Sequence, residues 1–357
     1  MTRVHIITEG FASPNGRSFL YPIVLNADRL KELGLVISMS TDRSAAIPEC
    51  DTLMLDSKRF RDGWGHAGQR TLELFGQYRK HAGKLIFVDN SDSAGWINGQ
   101  ALSGADVYTK GLVLRDRETY LKPLHGRRVF TDFYHRTEGV SDPSPEDLPQ
   151  VANKADLAKI RVHWNSGLAD YSLHGPMLMA LYHRLPLPGL LRAPGGFISP
   201  NAQRDIDVSC RMGLSYARPT VAWQRQRIRE LLKDRLRTDK LGRRAYFGEL
   251  SRSRIVVSPF GLGEITLKDF ETFIAGAALL KPDMSHMETW PDFFRAGETM
   301  LTHKWDLSDL EETIERALAD LDACTGIAEA AQQRYRRHIA GAEGQQDFCE
   351  RFRGLVR

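Results

Sequence analysis

The clearest chemical pattern in the chain is the segment SPFGLGEITLKDFE at residues 258–271. Its two glycines, Gly261 and Gly263, allow backbone conformations and a close approach that a Cβ atom would block. A helix is predicted to begin at Thr266, and the free N–H groups of a helix start attract phosphate oxygens. Lys268, in the first turn, adds a positive charge. The segment therefore predicts a phosphate-binding loop, although strand–Gly–helix junctions occur throughout α/β proteins and a glycine pair alone is weak evidence.

Two carboxylates on the same predicted helix extend the pattern. Asp269 stands three residues after Thr266, as in a capping box with Asp in place of Glu. Glu271 follows Lys268 by three residues and lies on the same helix face. A carboxylate there can accept hydrogen bonds from the two hydroxyls of a ribose. A phosphate site beside a ribose site indicates a nucleotide ligand.

The segment and its continuation resemble known enzymes. The pattern P-x-G-x-G-x-x-[ST]-x-[KR]-x-x-E looks like the C-terminal half of exostosin-type glycosyltransferases. It is also similar to the spore-coat-associated glycosyltransferase-like proteins and, more loosely, to the group 1 glycosyltransferases. The likeness covers roughly Ile206 to Asp320. The resemblance implies that the glycine–threonine loop and Lys268 bind a diphosphate, that Glu271 binds ribose, and that Glu288 lies near the donor sugar.

One departure limits what the resemblance implies about mechanism. Group 1 enzymes carry two glutamates, and counting back eight positions from Glu271 reaches Gly263 instead of the first of them. The adjacent Glu264 has the wrong spacing. The retaining mechanism of group 1 enzymes is therefore not implied.

The resemblance implies a GT-B fold, in which two Rossmann-like domains with parallel sheets face an interdomain cleft. It also implies sugar transfer from a nucleotide-sugar donor to an acceptor hydroxyl, in cell-surface polysaccharide or glycolipid synthesis. The alternatives are a nucleotide-sugar epimerase on the same fold and a non-catalytic nucleotide-sugar-binding subunit. The expected partners are a nucleotide sugar and a carbohydrate or glycolipid acceptor, with no permanently bound cofactor. Nucleic-acid binding would need one continuous basic stripe, so no nucleic-acid partner is expected.

Further donor-binding candidates lie outside the glycine segment. The sequence DVSCRMG leads to Arg211 and Gly213, in the loop that faces the donor phosphates in GT-B folds. Arg211 would make a bidentate phosphate contact, although a strand-end arginine is more often a surface residue. Arg225 is the candidate on a basic helix whose other charges indicate a solvated face. His286, just after a predicted strand, is a candidate for contact with the donor phosphate or sugar.

Three carboxylates at predicted strand ends are candidates for the general base that an inverting transferase needs. Asp89 and Asp92 end the buried run KLIFVDNSD, and Glu9 ends the first strand. Ligands of α/β sheets bind at the carboxyl ends of strands, which favours all three. The alternative is that each aspartate only caps the segment that follows it.

Acceptor-binding candidates come from the first half of the chain. The sequence HWNSGLADY places Trp164 and Tyr171 where they could stack on a sugar, although a buried aromatic cluster is an equal alternative. Gly16 would let its loop approach the substrates, and we group it with the acceptor side. The histidines show no metal-ligand spacing, so no metal site is predicted.

The elements that must position these residues alternate between short apolar runs and helical segments, which predicts parallel sheets with helices on both faces. With 357 residues the chain is expected to form two domains. The predicted divisions are residues 1–190 for the acceptor domain, 191–335 for the donor domain and 336–357 for a C-terminal helix that packs back on the first. The Pro-rich run Leu185–Pro194 is the expected linker, and Gly175–Leu185 is predicted to be a buried helix.

The composition of the chain limits where in the cell the protein is expected to act. No stretch of about 18 apolar residues is present, so no transmembrane helix is predicted. The four cysteines are far apart and form no CxxC pair, which favours a reducing cytoplasm over a disulfide-stabilised secreted protein. The net charge of +4 permits peripheral attachment to the inner face of an acidic membrane without requiring it.

Overall fold

The computed structural model describes residues 1–42, 46–63, 68–187 and 189–357. It contains two parallel β-sheets and a small antiparallel ribbon. The strands are β1 (Thr2–Ile7), β2 (Leu35–Ser40), β3 (Cys50–Asp56), β4 (Ala82–Asp89), β5 (Val107–Lys110), β6 (Leu112–Leu114), β7 (Ile160–Val162), β8 (Ile206–Ser209), β9 (Ser253–Val257), β10 (Ala278–Pro282), β11 (Met287–Thr289) and β12 (Leu301–His303). The α-helices are α1 (Pro14–Leu25), α2 (Ala27–Glu32), α3 (Gly68–Tyr78), α4 (Gly99–Gly104), α5 (Val129–Glu138), α6 (Gly175–Arg184), α7 (Pro219–Leu232), α8 (Arg243–Leu250), α9 (Leu267–Ala275), α10 (Leu310–Ala319), α11 (Leu321–Ala340) and α12 (Ala342–Val356).

The first sheet has six parallel strands in the order β2-β1-β3-β4-β5-β7. Its inner strands are apolar and covered on both faces, and β4 is buried without interruption from Leu85 to Asp89. The strand order reverses between β1 and β3, so a crevice opens beyond the carboxyl ends of the strands at this edge. The loops that follow β4, β5 and β7 reach the same edge.

The second sheet has four parallel strands in the order β12-β10-β9-β8. The two halves of the chain are tied together by the ribbon, in which β11 of the second half pairs antiparallel with β6 of the first. Met287 lies opposite Leu114, and Thr289 lies opposite Leu112. The ribbon therefore gives the halves a backbone connection besides the chain itself.

A cleft of about 390 Å³ lies between the two halves and is lined by residues of both. Two parallel sheets that present their carboxyl ends to a shared cleft form the GT-B arrangement. The predicted fold class, α/β with two Rossmann-like domains facing a cleft, is confirmed by this strand order.

The predicted burial of the helix over Gly175–Leu185 is wrong. The helix forms as α6, but only Gly175 and Met179 are buried within it. The reason is that the helix packs on one side only, which leaves Met177 and Leu181 exposed. The predicted linker follows it directly, and its residue Pro188 lies outside the described residues.

The last helix, α12, lies against the first sheet. Thr52 of β3 donates a hydrogen bond to the Val356 carbonyl at 2.7 Å, and Lys84 of β4 donates one to the Leu355 carbonyl at 3.0 Å. The Arg351 guanidinium also bonds the His163 carbonyl at 2.7 Å. The exact domain divisions at residues 190 and 335 stay a prediction. Among the described residues, none of the helices is long and apolar enough to cross a membrane.

Candidate functional site

A pocket of about 290 Å³ lies in the second half of the chain, beyond the carboxyl ends of β8 and β9. Six of the predicted donor-binding residues line it: Arg211, Gly213, Arg225, Thr266, Lys268 and Glu271. They come from three separate parts of the sequence. We call this the donor pocket, and the larger space between the halves the interdomain cleft.

The start of α9 forms one wall of the donor pocket. The Thr266 N–H donates to the Asp269 carboxylate at 2.9 Å, so the predicted capping interaction between these residues is present. Asp269 also accepts from Ser258 at 2.6 Å and from the Lys281 ammonium at 3.1 Å, and both members of this ion pair are fully buried. Because Asp269 is held from three directions, the helix start and the loop before it are fixed in place.

Lys268 supplies positive charge beside the helix start. Its ammonium donates to the Arg211 and Val257 carbonyls, which direct it toward the floor of the donor pocket. Burial lowers the pKa of Lys268 to about 8, because removal from water disfavours the charged form. The side chain is therefore mainly charged at neutral pH and loses its charge in mildly alkaline solution.

Arg225 lies at the junction of the two spaces and lines both. Its Nε donates to the Phe260 carbonyl at 2.8 Å and its Nη1 to the Gly213 carbonyl at 3.2 Å. The guanidinium also lies over the Tyr216 ring, 5.0 Å from its centre. The arginine thus joins the glycine loop to the loop after β8 while its positive charge borders the pocket.

Glu271 lies on α9, three residues after Lys268, and is already paired. Its carboxylate accepts from Arg243 Nη1 at 3.0 Å. Burial raises the pKa of Glu271, and the Arg243 charge opposes this shift. Burial and the neighbouring Glu271 carboxylate raise the pKa of Tyr246. A tyrosine hydroxyl beside a carboxylate offers both a donor and an acceptor to ligand hydroxyls.

Arg211 does not present a free guanidinium to the donor pocket. It makes a bidentate ion pair with Glu249, with Nε–Oε1 and Nη2–Oε2 distances of 2.9 and 2.7 Å. Hydrogen bonds donated to this carboxylate raise the pKa of Arg211. A bidentate phosphate contact would therefore require Arg211 to leave Glu249, and the predicted contact does not exist in this geometry.

The three predicted glycines serve different purposes. A Cβ on Gly263 would lie 1.8 Å from the Asp92 carbonyl oxygen, so this glycine is required by contact between the two halves of the chain. A Cβ on Gly213 would meet the Lys240 side chain at 2.6 Å. A Cβ on Gly261 would meet no atom closer than 3.6 Å, so no protein contact demands a glycine there. A Cβ there would make only ordinary van der Waals contacts with the protein, so a closely approaching ligand is what the missing side chain would serve.

The interdomain cleft is bounded by strand ends and by the start of α1. Its wall in the first half consists of Pro14, Asn15, Ser18, Phe19, Asp89, Asn90, Ser91, Asp92, Gly111, Leu112, His163, Trp164, Asn165, Ser166 and Tyr171. Its wall in the second half consists of Tyr216, Arg225, Gly261, Leu262, Gly263, Ile265, Thr266 and Leu267. The cleft and the donor pocket therefore share Arg225 and Thr266 and open into each other.

The three candidate bases differ sharply in surroundings. Asp89 is fully buried and accepts from Tyr108 at 2.6 Å and from Lys110 at 3.1 Å. Burial disfavours its charged form, yet the Lys110 ammonium and the Tyr108 hydroxyl hold the pKa of Asp89 below its usual value. A carboxylate engaged in this way is a poor proton acceptor and a good anchor for the loop that follows it.

Asp92 lies on that loop, is exposed, and lines the interdomain cleft. Its Oδ1 accepts from Asn15 Nδ2 at 2.7 Å. The same Asn15 amide donates to the Asn90 carbonyl at 2.6 Å, so the N-terminus of α1 fixes the loop from the other side. Glu9 lies outside the cleft lining and accepts a hydrogen bond from Ser13. Of the three, only Asp92 combines access to the cleft with a lightly bonded carboxylate.

The predicted acceptor residues are mostly structural. Trp164 is buried, stacks on Phe19 with ring centres 5.3 Å apart, and donates its Nε1 hydrogen to the Phe19 carbonyl. Tyr171 is buried and stacks on Phe270 of α9 at 5.5 Å. Each ring is buried and has one face covered by another aromatic ring, so these positions give no support for the stacking of a sugar on either ring. A Cβ on Gly16 would lie 2.6 Å from the Gly10 carbonyl oxygen, so this glycine packs against its own loop.

His286 and Glu288 lie outside both spaces. Glu288 is on the ribbon and pairs with Arg117 at 2.6 Å. His286 lies 3.6 Å from Glu264, a buried carboxylate that accepts from Ser93 at 3.1 Å and from the Ala94 N–H at 2.9 Å. Contact of these two residues with a donor is not supported by their positions. Glu264 instead joins the glycine loop to the first half of the chain, a role that sequence reasoning missed.

Several other residues of the two spaces were not predicted. The donor pocket is completed by Lys240, Leu241 and Tyr246, and the cleft by Asn15 and Tyr216. Asn15 follows a Ser-Pro pair that is typical of a helix start, so its position in the first turn of a helix could have been predicted from the sequence. The other residues lie in loops or on a helix with no distinguishing motif. Within the described ranges, no three His, Cys, Asp or Glu side chains group as they would around a metal ion.

Comparison with known proteins gives similarity of fold alone. No protein-family model matches the chain, and no curated protein matches it. A solved structure of HepE from Anabaena in complex with UDP-glucose is 10% identical, with a TM-score of 0.46, over 99% of this chain and 100% of that one. Sucrose-phosphate synthase from Thermosynechococcus elongatus is 12% identical, with a TM-score of 0.45, over 99% of both chains. The catalytic domain of starch synthase IV from Arabidopsis thaliana, bound to ADP and acarbose, is 10% identical, with a TM-score of 0.47, over 100% of this chain and 99% of that one. These similarities assign no role to individual residues.

Proposed function

We propose that the chain is a glycosyltransferase that binds a nucleotide sugar in the donor pocket and a hydroxyl acceptor in the interdomain cleft. The observation that carries the proposal is the convergence of a helix start, two cations and a carboxylate on one pocket that opens into a cleft. A nucleotide sugar needs all of these features at once. The diphosphate requires positive charge and free N–H groups, and the ribose requires a hydrogen-bond acceptor.

The donor would lie with its diphosphate at the start of α9. Lys268, Arg225 and the helix N-terminus would neutralise the phosphates, and Gly261 would let them approach the backbone. Glu271 and Tyr246 would bind the ribose hydroxyls, with Arg243 holding the carboxylate in place. The sugar would then extend past Thr266 into the interdomain cleft, where the acceptor would bind.

The transfer step assigns Asp92 as the general base. Its carboxylate would take the proton of the acceptor hydroxyl as that oxygen bonds to the anomeric carbon of the donor sugar. The bond between the anomeric carbon and the diphosphate oxygen would break, and the electron pair would leave with the nucleoside diphosphate. Lys268 and Arg225 would stabilise the charge that develops on that leaving group. A base on the acceptor side corresponds to inversion at the anomeric carbon.

Asp89 would act through the loop and not on the substrate. Its ion pair with Lys110 and its bond to the Ser91 N–H at 2.8 Å hold the residues before Asp92. Asp89 is therefore proposed as a positioning residue. The matched substitutions Asp92→Asn and Asp89→Asn separate the roles, because only the second should lower thermal stability.

The cleft suits a polar acceptor, since Asn15, Asn90, Ser91 and Asn165 line it. We propose a carbohydrate or glycolipid acceptor in cell-surface polysaccharide or glycolipid synthesis, with the reaction taking place in the cytoplasm. An epimerase that uses the same pocket would turn over the donor without any acceptor. A non-catalytic binding subunit would bind the donor and leave it unchanged.

The test begins with binding. Purified protein would be heated with UDP-, GDP-, CMP- and dTDP-compounds and with ADP-sugars, and a nucleotide that raises the melting temperature would identify the donor class. The Glu271→Ala variant should lose most of that increase, whereas Glu9→Ala, a carboxylate outside both spaces, should retain it. No stabilisation by any compound would refute the donor pocket. Donor consumption with and without candidate acceptors then distinguishes transfer from epimerisation and from binding alone.

A further inference from the structure

Helix α6 and the segment that follows it expose an apolar surface. Met177 is 62% exposed, Leu181 41%, Leu185 54% and Leu187 58%. The first three are spaced four residues apart, so they form one stripe along the outer side of the helix. Large apolar side chains that cluster on a surface mark a site of interaction, whereas scattered ones are normal. We call these four side chains the α6 patch.

The charge along the segment that carries the α6 patch has one sign. Residues 171–204 contain no aspartate or glutamate. The same stretch carries Arg184 at the end of α6 and Arg192 just beyond it, together with His174 and His183. Apolar side chains edged by cations, with no carboxylate in the segment, are complementary to an anionic lipid surface.

The α6 patch lies beside the entrance to the interdomain cleft. Tyr182 of α6 packs edge-on against Phe11, with ring centres 4.9 Å apart. Phe11 immediately precedes the start of α1, whose residue Asn15 lines the cleft. At its other end, α6 begins four residues after Tyr171, another cleft residue. A bilayer that covers the α6 patch would therefore meet the rim of the cleft.

We propose that the α6 patch docks the protein onto an anionic lipid bilayer. Met177, Leu181, Leu185 and Leu187 enter the interface between headgroups and acyl chains, and Arg184 and Arg192 contact the lipid phosphates. The docking itself is independent of the proposed reaction. Its use, to bring a lipid-borne acceptor hydroxyl to the cleft, rests on the proposed function.

The test is co-sedimentation of the full chain with vesicles. Vesicles of phosphatidylcholine alone are compared with vesicles containing phosphatidylglycerol, at low and high salt. The expected result is binding to the anionic vesicles that falls as salt rises. The double variant L181E/L185E should lower the ratio of bound to free protein by about tenfold or more, since it removes two buried apolar side chains. The variant R184Q should lower it up to about fivefold, and on anionic vesicles only.

The matched control is L148E, which changes an even more exposed leucine, 70% accessible, outside the α6 patch. Its vesicle binding should equal that of the unmodified protein. Equal loss in L148E and L181E/L185E, or binding unaffected by L181E/L185E, would overturn the proposal. So would a concentration-dependent dimer, seen by sedimentation velocity without lipid, that L181E/L185E disrupts while no vesicle binding occurs.

Nucleotide-induced stabilisation is measured on the same preparations. If L181E/L185E keeps the melting temperature and the nucleotide response but loses vesicle binding, the docking proposal is supported whatever the enzymatic outcome. If nucleotides fail to stabilise any preparation while vesicle binding follows the α6 patch, the proposed function fails and the docking surface stands. The two failures are thereby distinguishable.

Discussion

The low pKa of Lys268 makes donor affinity depend on pH in a defined way. In the free protein, burial lowers the pKa of this ammonium to about 8. A bound diphosphate stabilises the charged form and therefore raises the pKa in the complex. Well below pH 8 the lysine is charged with or without ligand, so affinity is constant there. Above pH 8 binding must take up a proton, and affinity falls as pH rises.

The size of the effect follows from the two pKa values. If the diphosphate returns the ammonium to an ordinary pKa of about 10.5, the dissociation constant at pH 9 should be about tenfold higher than at pH 7. The assay is isothermal titration calorimetry with a nucleotide sugar at constant ionic strength. A diphosphate diester keeps its charge over this range, unlike a free nucleoside diphosphate. Buffers of different ionisation enthalpy would show the proton uptake directly.

The matched variant Lys268→Arg keeps a positive charge that does not titrate below pH 12. Its donor affinity should be nearly constant from pH 7 to pH 9, and any slope that it retains belongs to the nucleobase or to other groups. The variant Lys268→Met should bind about 10- to 100-fold more weakly at pH 7, the usual range for losing a hydrogen bond to a charged group. Parallel pH profiles for the unmodified protein and Lys268→Arg would refute the assignment of Lys268 to the diphosphate.

Three further predictions test other parts of the site. Glu271→Gln should weaken ribonucleotide binding about 10-fold or more. It should also reduce the preference for ribose over 2′-deoxyribose. An unchanged preference would show that Glu271 does not bind the ribose. Asp92→Asn should lower kcat by about 10²- to 10⁴-fold with donor affinity unchanged, and near-normal turnover would exclude it as the base. Gly263→Ala should lower the melting temperature, because its Cβ would lie 1.8 Å from the Asp92 carbonyl oxygen. Gly261→Ala should fold normally and weaken donor binding, so equal melting temperatures for the two alanine variants would contradict the division of roles between these glycines.

Sequence reasoning succeeded where the chemistry is local. The start of α9 could be predicted because Thr266 and Asp269 are three residues apart and bond each other directly. The same holds for the parallel sheets, since each strand is a short apolar run of the kind that burial on both faces requires. The segment from Ser258 to Glu271 supplies one wall of the donor pocket, through Ser258, Pro259, Thr266, Lys268 and Glu271.

Sequence reasoning failed where a side chain is paired with a residue far along the chain. Arg211 looks available in sequence, but Glu249 lies 38 positions away and occupies its guanidinium in the fold. Trp164 looks like a sugar-stacking residue, but Phe19 covers its ring. Spacing within a motif carries no information on such partners, because they are set by which strands and helices become neighbours.

The glycine loop contains one residue whose role follows from the local motif and another whose role depends on a contact far along the chain. Gly261 and Gly263 belong to one motif, yet only Gly261 could carry a Cβ without a clash, whereas Gly263 and Glu264 contact the loop from Asp92 to Ala94. That loop carries the proposed base. The contact would therefore set the distance between donor and base in the proposed reaction, because the segment that would bind the diphosphate touches the segment that would activate the acceptor. A motif interpreted only as a phosphate-binding loop thus also contains a contact between the two halves of the chain.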